Sequence, residues 1–140
     1  MNDINKLINM AFEAREKAYI PYSNHGVGAA LLSKDGEIFT GCNVENAAYS
    51  PTNCAERTAF FKAVSEGVKE FEAIAIVGGL MNRTATNICA PCGVCRQVMR
   101  EFCSDDFKIY LGYRNEAGDI DYELMTLGEL LPESFGPENL

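Results

Sequence analysis

Three cysteines at two expected helix starts constrain this chain more tightly than any other feature of its 140 residues. Cys54 opens the run Cys54-Ala55-Glu56-Arg57, and Cys92 and Cys95 sit in Pro91-Cys92-Gly93-Val94-Cys95-Arg96. A helix start exposes unpaired backbone N–H groups and a partial positive charge, and both stabilise a thiolate. The spacing of Cys92 and Cys95 puts them on one face of a first helical turn, where they can share one ion. With Cys54 brought in from the other helix, a tetrahedral zinc would keep one open position, the mark of a catalytic rather than a structural site. Glu56 lies close to that position in sequence, where a carboxylate could handle protons. Plainer readings stand beside this one. A lone Cys-x-x-Cys also occurs in redox sites and structural zinc sites, and a first-turn glutamate is favoured by the helix dipole alone.

The rest of the chain supplies a frame that can bring the two motifs together. Ile4, Leu7, Ile8, Ala11, Ala14 and Ala18 recur at helical spacing, so residues 4–18 read as an amphipathic helix. Pro21-Tyr22-Ser23-Asn24 breaks it. Val27 to Ser33 reads as a buried strand, Lys34-Asp35-Gly36 as a hairpin turn, and Glu37 to Gly41 as the returning strand. Cys54 to Glu66 reads as a helix capped by Asn53 or Thr52. Ala73 to Val77 is a short strand, residues 78–90 a polar loop, and Cys92 to Phe102 a helix that starts after Pro91. Phe107 to Tyr113 and Ile120 to Met125 read as strands, and Leu127 to Leu131 as a short helix. This order predicts one α/β domain over residues 1–140, a sheet with helices on both faces.

Charge narrows the function. Twenty acids against twelve bases give a net charge of −8, which argues against a nucleic-acid partner, because a phosphate backbone needs a basic surface. The sequence has no run of 18 or more apolar residues that would cross a membrane, and its first residues lack a signal-peptide layout. A cytoplasmic location is therefore expected. There, six cysteines mean metal or catalysis rather than disulfides. Cys42 and Cys103 read as small buried apolar residues. Cys89, in Cys89-Ala90-Pro91-Cys92, could replace a ligand or close the fourth position. The chain has one histidine, His25, so a multi-histidine metal site is excluded.

The two cysteine motifs together match the zinc-deaminase pattern, in which three cysteines, or one histidine and two cysteines, hold the metal and a glutamate outside the ligand set moves protons. The wider sequence resembles the small homotetrameric cytidine deaminases. The resemblance is carried by Pro21-Tyr22-Ser23, Val27-Gly28-Ala29-Ala30, Gly41-Cys42-Asn43-Val44-Glu45-Asn46-Ala47-Ala48-Tyr49, Cys54-Ala55-Glu56-Arg57-Thr58-Ala59, Pro91-Cys92-Gly93-Val94-Cys95-Arg96-Gln97-Val98 and Glu129-Leu130-Leu131-Pro132.

The resemblance implies a three-layer fold with a five-stranded mixed sheet, and one zinc ion per subunit held by Cys54, Cys92 and Cys95. It implies Glu56 as the proton carrier, with Ala55 beside it at the substrate. Asn43 and Glu45 are expected at the sugar. Ala47 and Tyr49 are expected to reach a neighbouring subunit's site, and Phe135 to cover the base across an interface. Arg57 and Arg96 are expected to donate to the ligand sulfurs and offset their charge. His25 stands where the family has a phenylalanine that packs against the nucleoside. The expected reaction is hydrolytic deamination of cytidine and 2′-deoxycytidine in pyrimidine salvage. A blasticidin-type or modified-cytosine deaminase is the enzyme alternative, and a binding module with structural zinc closed by Cys89 is the alternative from another class.

Overall fold

The computed structural model describes residues 3–140. Five strands form one mixed sheet in the order β2-β1-β3-β4-β5: β1 His25–Ser33, β2 Ile38–Cys42, β3 Phe71–Leu80, β4 Lys108–Arg114 and β5 Ile120–Thr126. β1 pairs antiparallel with both β2 and β3, β3 runs parallel to β4, and β4 pairs antiparallel with β5. The parallel pair needs a crossover, and α3 (Gly93–Phe102) provides it. The other helices are α1 (Asp3–Arg15), α2 (Ala55–Ser65) and the short α4 (Leu127–Leu130).

Strand alternation sorts side chains between two faces. Ala30, Ala73, Ala75 and Val77 form one core with Leu7, Ile8 and Ala11 of α1. Leu31, Ile74, Ile76, Ile109 and Leu111 form the other with Ala59, Phe60 and Ala63 of α2 and Met99 of α3. Small residues on the first face let α1 lie close. A Cβ on Gly28 would come within 2.5 Å of the Arg15 backbone nitrogen. The second face is built of larger groups, with Phe60 fully buried and its ring 5.0 Å from that of Phe71 and 6.1 Å from that of Phe107. Truncating a buried phenylalanine of this kind costs about 3–5 kcal/mol.

The expected sheet with helices on both faces is the observed one, and four local expectations change. α1 stops at Arg15 rather than residue 18, because Tyr19 turns to pair with the segment after β2. Its N–H donates to Asn43 O at 3.0 Å, and its own carbonyl accepts from Glu45 N at 2.9 Å. β3 is twice the expected strand and takes in Gly78 and Gly79, because β1 pairs with it as far as His25 opposite Leu80. The cap of α2 is Cys54 rather than Asn53 or Thr52, and it makes no side-chain capping bond. Asn53 is held away in a bridge to Val44, and its Nδ2 donates to Thr58 Oγ1 at 3.1 Å. α3 likewise has Cys92 as its cap. Both cysteine side chains are therefore left free at a helix start.

Candidate active site

α2 and α3 begin side by side against the sheet, and their starts bring the three sulfurs together. The Sγ atoms of Cys54, Cys92 and Cys95 all lie within 4.8 Å of one another. Tetrahedral zinc with thiolate bonds of ~2.3 Å puts neighbouring sulfurs about 3.8 Å apart, and those of Cys54 and Cys92 are 3.7 Å apart. The donor set thus suits a zinc ion. Cys89 is not in this cluster among the described residues, so a fourth sulfur does not close the site and the structural-zinc alternative loses its ligand. Gly78 makes room for Cys89 instead: a Cβ there would lie 2.7 Å from its Sγ.

Electrostatics prepare the same cluster. Cys54 is held well below the ordinary thiol range because the Cys95 thiol donates to it and Arg57 and Cys92 add further hydrogen bonds, against the opposing effect of burial. Cys95, the donor in that pair, is pushed up. The Arg57 Nη2 donates to Cys54 Sγ at 3.2 Å. Burial opposes its charge, but hydrogen bonds to Cys54 and Cys95 outweigh that and keep the guanidinium protonated. Arg57 Nε is buried and has no protein partner among the described residues.

Glu56 is 4% exposed. Burial, the largest cause, and the negative charge of Cys54 push its carboxyl up to about 7, against its own backbone hydrogen bond and Arg57. A carboxyl that changes charge near neutrality suits a group that must both take and give a proton. Ala55, fully buried, sits between it and Cys54.

Arg96 departs from the expected bond to sulfur. Its Nε donates to Pro91 O and its Nη1 to Leu130 O, both at 2.7 Å. A guanidinium reaching both carbonyls ties the approach to Cys92 to the end of α4.

The expected sugar residues follow directly after β2 and lie against the start of β1 and the turn before it, and their polar atoms already serve the backbone. Asn43 Oδ1 accepts from Val27 N and its Nδ2 donates to His25 O, each at 2.9 Å. Glu45 accepts from the N–H groups of Tyr22 and Ser23 at 3.0 and 3.1 Å, and from the Ser23 hydroxyl. The Ser23 hydroxyl bond, above all, holds its carboxylate below the ordinary range. Ser23 is a residue whose part the motif reading missed. The turn signal at Pro21-Tyr22-Ser23 was visible, but its acceptor, Glu45, is distant in sequence.

Tyr22, Ser23, Glu45, Asn46, Tyr49 and Thr52 line a cavity of about 390 Å³. Tyr49 is 73% exposed and meets Tyr22 edge-on at 6.3 Å. Ala47 is exposed on the same loop. His25 and Cys89 line a second cavity of about 280 Å³ with the end of β3. Phe135, 60% exposed, is presented by a C-terminal segment that α3 grips. Gln97 Nε2 donates to Phe135 O at 2.9 Å, and Arg100 Nε to Ser134 Oγ at 2.7 Å.

Clustered thiols at paired helix starts, an arginine on their sulfur and a buried carboxylate in the same turn define a zinc-binding α/β domain. The family model described as "Cytidine and deoxycytidylate deaminase zinc-binding region" matches residues 1–111. The chain is 53% identical over 138 residues to a cytidine deaminase of Sporosarcina psychrophila, covering 99% of this chain and 95% of that one. It is 51% identical over 138 residues to a cytidine deaminase of Halalkalibacterium halodurans, covering 99% and 98%. The crystal structure of a cytidine deaminase from Burkholderia pseudomallei superposes with a TM-score of 0.80 at 49% identity, covering 93% of this chain and 97% of that one. The chain belongs to the cytidine and deoxycytidylate deaminase zinc-binding family. It is an enzyme of that family, and zinc is its cofactor.

Proposed function

We propose that this chain acts on free nucleosides, converting cytidine and 2′-deoxycytidine to uridine and 2′-deoxyuridine in pyrimidine salvage. Deamination of cytidine to uridine is the activity of its full-length relatives and the reaction it carries out. The observation that carries the reading is Glu56, the one buried carboxylate among the described residues, set in the helical turn that Cys54 of the sulfur cluster opens. Cys54, Cys92 and Cys95 would hold the zinc, which when bound lowers the pKa of a water and makes it a nucleophile near neutral pH. Glu56 would take a proton from the attacking water, deliver it to ring N3 as the oxygen bonds to C4, and then pass the remaining hydroxyl proton to the departing amine. Water is consumed, the C4 carbonyl forms and ammonia leaves.

The cavity beside Tyr22 and Glu45 offers acceptors for sugar hydroxyls, and the chain's net charge of −8 suits a neutral nucleoside better than a nucleotide. An ammonia-release assay across cytidine, deoxycytidine, CMP and dCMP tests this. Turnover confined to the nucleosides is expected. A kcat/KM for dCMP equal to that for deoxycytidine would overturn the nucleoside reading.

The 140 residues act as one domain in a homotetramer with shared sites. The exposure of Tyr22, Tyr49, Val94 and Phe135 around the site supports an assembly that covers them. Sedimentation of the active enzyme as a tetramer is expected, and a fully active monomer would exclude it. Free cysteines throughout the described residues suit the reducing cytoplasm. No described helix is long and apolar enough to cross a membrane.

A further inference from the structure

Arg15, in the last turn of α1, is 4% exposed, and among the described residues no carboxylate pairs with it. Burying a guanidinium is costly unless its donors are met. Here main-chain carbonyls meet them. Nε donates to Gly26 O at 3.1 Å, and Nη2 reaches Gly79 O at 3.0 Å, Leu80 O at 2.8 Å and Arg83 O at 3.2 Å. These acceptors come from three places: the start of β1 beside His25, the end of β3, and the loop beyond it. All three contribute to the wall of the 280 Å³ cavity that His25 and Cys89 line. That cavity adjoins the site described above: Cys89 lies three residues before Cys92, and the carbonyl of His25 accepts from Asn43 Nδ2 at 2.9 Å. Other ties hold the loop at single points, Met81 N to Asn24 O and Arg114 N to Ala85 O, each at 2.9 Å.

We propose that Arg15 is a positioning residue for deamination: its guanidinium fixes the strand ends and loop that form the wall against which the pyrimidine lies. This rests on the nucleoside-deaminase reading above. The planar fork of arginine spans separate acceptors, and the single ammonium of lysine cannot reproduce it.

The test uses the zinc-loaded enzyme with Arg15→Lys and Arg15→Gln, so that one variant keeps the charge and both lose the fork. A displaced wall of this kind is expected to raise KM for cytidine about tenfold while kcat per zinc stays within about twofold. Zinc content should stay at the wild-type level, and amide hydrogen exchange should quicken in residues 78–89 more than in α2. Should one variant fail to fold, the other carries the same expectation. An unchanged KM in folded, zinc-loaded protein would overturn the proposal, since a merely structural arginine would lower the folded fraction and leave KM alone. Full recovery of KM by lysine would overturn it too. Wild-type protein that releases no ammonia from cytidine would instead sink the function proposed above. The exchange measurement then decides the positioning role alone, and unchanged exchange at residues 78–89 refutes it.

Discussion

The starts of α2 and α3 carry the same ingredients: a cysteine cap without a side-chain capping bond, a buried first turn position and an arginine within four residues of the cap. They are put to different uses. At α2 the arginine turns back onto Cys54, the second helical residue is a buried glutamate, and Ala55, Glu56, Ala59 and Phe60 are all sealed against the sheet. At α3 the corresponding positions face outward. Cys92 and Val94 are exposed, Cys95 alone turns in, and Arg96 bonds to carbonyls of the approach and of α4 rather than to sulfur. On the proposed function, the α2 start would hold one ligand together with the proton carrier and set their electrostatics, while the α3 start would supply the other two ligands and couple them to the C-terminal segment. Burial decides which is which, because a charge or hydrogen bond matters most where water is excluded.

Replacing Glu56 with glutamine should break the comparison most severely. The amide fills the same volume and cannot carry protons, so turnover is expected to fall by about a thousandfold or more, within the range of general acid–base contributions. Zinc content and thermal stability should stay near wild type, because the side chain touches no ligand bond described above. Metal analysis beside an ammonia-release assay checks both halves. Near-normal deamination would remove Glu56 from the reaction.

Arg57→Gln and Arg96→Gln sharpen it next. Loss of the hydrogen bond to Cys54 should weaken zinc retention or turnover about 10–100-fold, as loss of a group supporting a metal ligand does. Competition with a chelator, followed by absorbance of released zinc, measures it. Arg96→Gln should instead leave zinc retention within a few-fold and lower stability by about 1–3 kcal/mol, the usual worth of a hydrogen bond from a charged donor. Equal chelator sensitivity in the two variants would show that the two helix starts do not divide these roles.

The sequence carried the cysteine and glutamate arrangement plainly because it is local: each motif lies within one helical turn, and the spacing of Cys92 and Cys95 needs no tertiary knowledge. The sheet with its helices was legible from periodicity for the same reason. Long-range pairing was not. Nothing near Gly78 and Gly79 shows that β1 will extend β3 to Leu80, so two glycines read as loop. Nor can the side chain of Arg15 or Arg96 be seen to seek carbonyls, since those of Gly79 and Leu130 arrive from distant segments. Asn43 and Glu45 were expected at the sugar from the family resemblance, and their hydrogen bonds to the backbone at the start of β1 and in the turn before it could not be read from the sequence, because those partners are 16 to 23 residues away.

The smallest effect is expected at the far end of α3, where the helix departs most from α2. Arg100 pairs with Glu138 and donates to Ser134, and a Cβ on Gly136 would collide with its guanidinium. The Arg100 hydrogen bond holds the Glu138 carboxyl below the ordinary range. A carboxyl depressed in the folded state contributes stability above its unfolded pKa and loses it as pH falls through the folded value. Glu138→Gln should therefore lower the thermal midpoint slightly at neutral pH, and the difference from wild type should close in acid. Because Glu138 is exposed on the solvent side of the pair, salt should shrink it as well. Arg100→Gln, which also loses the bond to Ser134, should show a larger shift, part of which survives both acid and salt. Melting curves of the three proteins at two pH values and two salt concentrations decide the point. If Glu138→Gln and Arg100→Gln match under every condition, the ion pair is all that Arg100 contributes to seating the segment bearing Phe135, beside the Gln97 hydrogen bond, and the hydroxyl of Ser134 adds nothing.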